Sequence, residues 1–370
     1  MKTVCLKNSC MGCMACVERC KWNCITIKDQ LDSYNAIIDD SKCVSCNACY
    51  SVCPKNNVPI GLKPIYWKQG WSGTLQRKKS SSGGAATELM RAFIHKNEYV
   101  CACVFDKGKF VFKITNKEED IKLCAGSKYV KSNPAGIYYQ IELLLKSGNK
   151  VLFIGLPCQV AALNNFVKGK YNNQLYLVDL ICHGTPSPQL LEMYLKERNI
   201  NIHEIKDISF RYNNRFMLNC TPGMVVSNGT IDYYTMAFLA CLDYTDVCYS
   251  CDFAKIERIS DITLGDSWGS ELISEVNEGI SLILCQTVKG KTLLEELEMN
   301  LYDVDLTKAV HANHQLMHPS IEHRKRKAFF KAIKKGKSFS ESTKMAIPMQ
   351  IIRQDLKSIL IKIGCRKKKS

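Results

Sequence analysis

No stretch of 18 uninterrupted apolar residues occurs in this chain of 370, so no helix is expected to span a membrane. Met1 to Ser9 holds two lysines and no apolar core, which speaks against a secretory leader and for a reducing, cytoplasmic setting. The two familiar glycine signatures for dinucleotides and nucleoside triphosphates, G-x-G-x-x-G and G-x-x-x-x-G-K-[ST], are also missing, so those phosphate loops are excluded. Acidic residues are scarce at the C-terminal end: Ile321 to Ser370 carries 16 Lys/Arg against three Asp/Glu, most of the net charge of +16. The first 320 residues are therefore close to neutral, and the basic end is a partner signal rather than a property of the body. No nucleic-acid partner is expected. The hydrophobic fraction of 46% is that of an ordinary globular protein.

Cysteine is what the chain has in excess, 21 residues. Cys10, Cys13, Cys16 and Cys20 recur as Cys43, Cys46, Cys49 and Cys53, all at an offset of 33. Both sets read C-x-x-C-x-x-C-x-x-x-C, and Pro54 follows the second. This spacing is that of bacterial-type ferredoxins with two [4Fe–4S] clusters, in which the fourth cysteine of each run ligates the other cluster. Cys10, Cys13, Cys16 and Cys53 would hold one cluster, and Cys43, Cys46, Cys49 and Cys20 the other. Structural zinc needs two pairs of ligands rather than two tandem groups of four. The repeat reaches past the ligands: Asn23, Ile25 and Ile27 precede Asn56, Val58 and Ile60 by 33, and Val4 so precedes Ile37. Lys21 stands where Pro54 stands in the second run, and Cys24 is read as a small buried thiol rather than a spare ligand.

A ferredoxin unit of residues 1–62 leaves about 300 residues for a larger body. Residues 63–79 are mixed, aromatic and basic, and read as a connection. Ser80-Ser81-Ser82-Gly83-Gly84 then feeds AATELMRAFIHK, a helical pattern through Leu89, Met90 and Phe93. A helix N-terminus after such a loop can receive a phosphate, or the serines can simply cap it. Lys150-VLFI-Gly155 and Tyr176-LVDLI-Cys182 are continuous apolar runs with the helix-like VAALNNF between them, which predicts parallel strands in an α/β layer. Cys158 and Cys182 follow those strands, at the edge where open α/β sheets place their chemistry. Cys248-x-x-Cys251 precedes the strand-like Asp261–Asp266. These four could assemble a third [4Fe–4S] site, or act as packing thiols, a redox dithiol or half a zinc site. His311, His314 and His318 lack cysteine or acidic partners, and no metal is expected there. Asp266, Lys128 and His183 are candidate acid–base groups by position only.

SSSGGAATEL, GSKYVKSN, GLPCQVAAL, DLICHGTPSP, CYSCDF and DITLGDSWG together resemble the beta subunit of coenzyme F420-reducing hydrogenase and F420-dependent formate dehydrogenase. The resemblance runs over residues 63–330. It implies an α/β body that binds FAD and carries its own [4Fe–4S] cluster on Cys158, Cys182, Cys248 and Cys251. It puts Ser82, Gly83 and Gly84 beside the FAD, with Ser127, Lys128 and Tyr129 as a second contact. It further implies electron exchange with a deazaflavin (F420) or a small organic substrate, taken from a ferredoxin-like donor. The alternative it leaves is an electron-transfer subunit docked to a catalytic partner, and some bacterial members resemble cell-surface polysaccharide biosynthesis proteins. Residues 331–370 read as a basic amphipathic tail divided by Pro348. Its apolar residues Ile351, Ile352, Leu356, Ile359, Leu360 and Ile363 are expected either to pack on the body or to meet an anionic membrane surface or a protein partner.

Overall fold

A computed structural model describes residues 2–212, 215–221 and 231–362. Each cysteine run of the first 62 residues closes on a five-residue helix, Ala15–Arg19 and Ala48–Val52. The chain enters the first through Gly12 and Met14, at φ 66° and 62°, and the second through Ser45 and Asn47, at 55° and 58°. These positions are again 33 apart, so the repeat extends to backbone handedness. Left-handed residues alternating with right-handed ones turn successive N–H groups to one side, a concavity suited to anionic sulfur. Strands β1 (Ile25–Asp29) and β2 (Tyr34–Ile38) pair antiparallel, Ile25 opposite Ile38, and back the two loops.

The body is built on an eight-stranded sheet. Its strands are β3 (Tyr66–Trp71), β4 (Tyr99–Asp106), β5 (Lys109–Thr115), β6 (Val151–Gly155) and β7 (Leu175–Leu180). A separate ribbon of β8 (Asp207–Tyr212) and β9 (Arg215–Thr221) comes next in the chain. The sheet is then completed by β10 (Ile262–Asp266), β11 (Ser281–Cys285) and β12 (Asn300–Tyr302). The order is β12-β3-β11-β10-β7-β6-β4-β5. The central strands β10, β7, β6 and β4 run parallel, and the edges on both sides are antiparallel. The parallel pairing expected of β6 and β7 is observed. By contrast, the segment read as a connection supplies β3, whose polar Gln69 is wholly buried by bonds to Ser267 and Asp303. Side-chain amide bonds thus replace the apolar signal there.

Side chains of the parallel strands alternate between two cores, which is why they read as unbroken apolar runs. Val151 and Phe153 face the helices Ile137–Lys146 and Pro157–Val167. Leu152 and Ile154 face Ala85–Ile94 and Val288–Glu295. The ferredoxin unit sits on the first of these layers, its Val4, Ala15 and Val52 continuous with the core of Tyr138, Leu163 and Phe166. Tyr138 donates a hydrogen bond to the Cys13 carbonyl (2.8 Å), Arg19 stacks 3.9 Å from the Phe166 ring centre, and Lys55 pairs with Asp252 at 2.7 Å.

The stretch expected to be a separate tail is divided by packing. Ile333, Phe339, Ala346, Ile347 and Ile351 join a core with Leu190, Tyr194 and Tyr234. The helices Arg326–Lys334 and Phe339–Ala346 are therefore part of the body, their lysines being the solvent face of amphipathic elements. In the last helix, Pro348–Lys362, Ile352, Leu356 and Ile359 are exposed. The Leu360 side chain and Ile363 lie outside the described residues. Among the described residues no helix is long and apolar enough to cross a membrane.

Candidate functional site

Three groups of thiols and one large cavity adjoin one another in series, from the second cysteine run through the first to the sheet. Cys10, Cys13, Cys16 and Cys53 line a small pocket with Val4, Met11 and Ile27. Cys53 thus leaves its own run and joins the other, as the interleaved spacing predicts. A fifth thiol lines the same pocket. Cys5 neighbours the sulfurs of Cys10 and Cys53, and its thiol pushes Cys53 down to about 6 while being raised itself. The sequence held no signal for it, since Cys5 has no counterpart at the 33-residue offset. In the second group Cys20 lies beside Cys24 (3.3 Å), Cys24 neighbours Cys43, and Cys49 neighbours Cys20 and Cys46. Cys46 is exposed, and Cys43 and Cys49 are half-buried.

The third group, Cys158, Cys182, Cys248 and Cys251, also meets. Cys158 lies in the first turn of the helix Pro157–Val167, Cys182 follows β7, Cys248 lies within the turn Asp246–Ser250, and Cys251 ends that turn. All four line one cavity of about 40 Å³. Burial raises the thiols of Cys158, Cys182 and Cys251, the last to about 12. The Thr245 hydroxyl lies 3.3 Å from the Cys248 sulfur. Met11 lines both this cavity and the first ferredoxin pocket, so the two adjoin at that residue. Among the described residues no three His, Cys, Asp or Glu groups are gathered tightly enough to hold a single metal ion. Thiols around a four-iron cubane stand wider apart than those around mononuclear zinc, whose Zn–S bonds are about 2.3 Å.

Beyond a shared wall opens a cavity of about 450 Å³. Leu156, Cys182, His183, Gly184 and Thr185 line both cavities. The rear of the larger cavity is formed by Ser80, Ser81, Ser82, Gly84 and the first turn of the helix Ala85–Ile94, opposite Gly126, Ser127, Lys128 and Tyr129. Gly84 caps that helix at φ 91°, where a Cβ would lie 2.3 Å from the Ser72 hydroxyl. Ser127 N–H donates to the Ser81 hydroxyl at 2.6 Å and ties the two stretches together. Ser82 and Gly83 serve the turn itself: the Ser82 hydroxyl donates to the Ile280 carbonyl, and a Cβ on Gly83 would strike the Gly70 carbonyl at 2.2 Å. The Lys128 ammonium donates to the carbonyls of Cys124 and Ala125, both at 2.8 Å, closing the end of the helix Ile121–Cys124. Tyr129 stacks on Phe238 with ring centres 4.7 Å apart.

Polar groups converge on the remaining walls. Arg211 pairs with Asp266 at 2.6 Å beneath the rings of Phe216 and Trp268. The Gln315 amide nitrogen is 2.7 Å from both His183 Nδ1 and His314 Nε2. An amide N–H only donates, so both ring nitrogens accept and both imidazoles are neutral. Burial agrees, pushing His183 down to about 4 and His314 down as well. His318 stacks on His314, with ring centres 5.3 Å apart.

Two family models for the beta subunit of coenzyme F420 hydrogenase/dehydrogenase match the body, the C-terminal model over residues 148–306 and the N-terminal model over residues 69–136. Residues 9–57 match a 4Fe-4S dicluster domain. An uncharacterized protein of Methanocaldococcus jannaschii is 22% identical over 334 residues, covering 80% of this chain and 88% of its own. The F420-reducing [NiFe] hydrogenase complex from Methanosarcina barkeri contains a chain 18% identical, with a TM-score of 0.49 over 70% of this chain and 92% of that one.

Proposed function

Since the chain belongs to the coenzyme F420 hydrogenase/dehydrogenase beta subunit family and carries a 4Fe-4S dicluster domain, we propose that it is an iron–sulfur flavoprotein oxidoreductase. Electrons from a ferredoxin-like donor reach the outer cluster, pass the inner ferredoxin cluster and a third [4Fe–4S] cluster on Cys158, Cys182, Cys248 and Cys251, and arrive at FAD. The observation that carries this reading is the wall shared by the third thiol cavity and the 450 Å³ cavity.

The chemistry of the lining fits a flavin. Its diphosphate would meet free N–H groups at the start of the helix Ala85–Ile94, where Gly84 takes the left-handed conformation that opens the turn. A flavin accepts electrons singly and releases them in pairs, which a cluster chain cannot do alone. Tyr129, Phe238, Phe216 and Trp268 offer planar surfaces to a ring system. His183 and His314, each neutral with one N–H left to donate, can hold a carbonyl oxygen of the ring or of the acceptor. The acceptor in this reading is a deazaflavin such as F420 or a small organic molecule of similar shape. Iron, sulfide and flavin quantified on one anaerobically purified sample test it: about twelve irons and one FAD per chain are expected. Absence of flavin at full iron content would remove the acceptor half of the proposal.

A second reading is an electron-transfer subunit without a substrate of its own. The exposed Cys46, with Trp22, Val44 and Tyr50 also exposed, favours a protein partner at the outer end. Turnover of an organic acceptor by the isolated chain separates the two. Membrane contact is confined in this reading to the last helix, whose Ile352, Leu356 and Ile359 are exposed beside the basic end. Truncation after Pro348 should then lower sedimentation with anionic liposomes at low salt.

A further inference from the structure

Beside the thiol groups lies a buried cation that has no carboxylate partner among the described residues. Lys131 is 5% exposed, in the same GSKYVKSN stretch as Lys128. Its backbone N–H is fixed to the Pro186 carbonyl at 2.9 Å, and its ammonium donates to the Met11 carbonyl at 3.1 Å. The side chain runs past Gly12, where a Cβ would lie 3.5 Å from Lys131 Cδ, and lines the cavity of Cys158, Cys182, Cys248 and Cys251. Met11 lines both that cavity and the inner ferredoxin pocket. The ammonium therefore sits at the junction of two thiol sets. The other cation at this cavity, Arg258, is 2% exposed and faces Asp179 at 3.6 Å, so its charge is already balanced. For Lys131 the balancing groups are Cys248, Cys158, Cys182 and Cys10, which raise its affinity for its proton against the cost of burial.

An unpaired ammonium in the interior costs several kcal/mol, so its retention demands a partner of opposite charge. A cubane held by four thiolates is that partner: it is anionic when oxidised and gains one more negative charge on reduction. We propose that Lys131 is the shared counter-charge of the inner ferredoxin cluster and the cluster on Cys158, Cys182, Cys248 and Cys251, and that it holds both reduction potentials up and close together. The proposal rests on the reading that both thiol sets carry [4Fe–4S] clusters. When an electron crosses, the inner cluster is oxidised by one electron and its neighbour reduced by one; no bond or proton moves. Because thiols of both sets act on the cation, it attracts the electron on either side of the step. Lys131 is thus a positioning residue for charge, not a catalytic one.

The test uses the full chain, reconstituted anaerobically with iron and sulfide, as wild type and as K131M, K131Q and K131R. Each is titrated with dithionite and followed by EPR, with iron counted on the same samples. In K131M and K131Q, two of three clusters should change their reduced-to-oxidised ratio at fixed potential at least tenfold toward oxidised, about 59 mV for one electron. The third should not move, and K131R should stay within threefold of wild type. Loss of iron from K131M and K131Q with retention in K131R also supports the charge role. Equal potentials in K131Q and wild type, an equal shift in K131R, or loss of iron from all three variants overturns it. A wild-type chain holding about eight irons or fewer instead overturns the underlying three-cluster reading.

Discussion

The two halves of the ferredoxin repeat have the same spacing and the same left-handed entrance, yet opposite surroundings. Met11 is 4% exposed and its counterpart Val44 is 52% exposed; Ala15 is wholly buried and Ala48 is not. Val17 is half-buried where Tyr50 is 52% exposed. The first loop is pressed onto Tyr138 and Phe166 of the body, and the second presents Cys46 to solvent. Ligand spacing therefore fixes how irons are gripped, while the surface a loop packs on decides what each cluster can do. Solvent exposure and hydrogen bonds to sulfur are levers on cluster potential, so one repeat yields an accessible outer centre and a shielded inner one.

The sharpest way to break that comparison is to remove one ligand from each half. Cys46→Ala should cost about four irons and leave the body folded, because nothing but solvent and its own loop depends on it. Cys13→Ala should cost the same iron and also loosen the ferredoxin unit from the body, since the loop that loses its cluster is the one whose backbone carbonyl at Cys13 anchors Tyr138. Limited proteolysis near residue 62 reads the difference. Equal protection in the two variants would mean the halves are equivalent after all.

A smaller effect is expected at the far end of the route. Gly84→Asp places a carboxylate at the start of the helix Ala85–Ile94 and should abolish flavin binding without changing iron. Gly84→Ala is the control, because any side chain at φ 91° is strained, by about 1–2 kcal/mol. Flavin retained in Gly84→Asp, or lost equally in Gly84→Ala, would take the diphosphate away from this turn.

These regions differ equally in how far the sequence exposes them. The ferredoxin ligands are legible because four thiols around a cubane need short, fixed spacings, and the 33-residue offset repeats them. β6 and β7 are legible because strands buried on both faces are apolar almost throughout, Asp179 of β7 being the one charge and facing Arg258 at 3.6 Å. β3 is not, since its burial is achieved through Gln69 and its hydrogen bonds rather than through apolar side chains. In the helix Arg326–Lys334 the amphipathic spacing of Phe329, Phe330 and Ile333 is legible among the lysines, but that the stripe packs on the body rather than on a partner is visible only in the fold. Cys5 and Lys131 escape for another reason. Each acts on a site made by residues distant in sequence, and no spacing records that.

The finest test of the inner–outer difference keeps every ligand and removes one hydroxyl from each side. Tyr138 is wholly buried and donates to the Cys13 carbonyl at 2.8 Å. Tyr138→Phe keeps the ring among Phe153 and Phe166 but leaves that carbonyl without its donor, which should cost about 1–2 kcal/mol. Tyr50 occupies the outer helix with its side chain open to water. Tyr50→Phe exchanges one hydrated hydroxyl for none and should stay within about 0.5 kcal/mol. Reversible unfolding of the reconstituted chain in denaturant, followed by cluster absorbance, measures both. If the two changes cost the same, the contact at Cys13 does not distinguish the halves, and the shielding of the inner cluster must come from apolar packing alone.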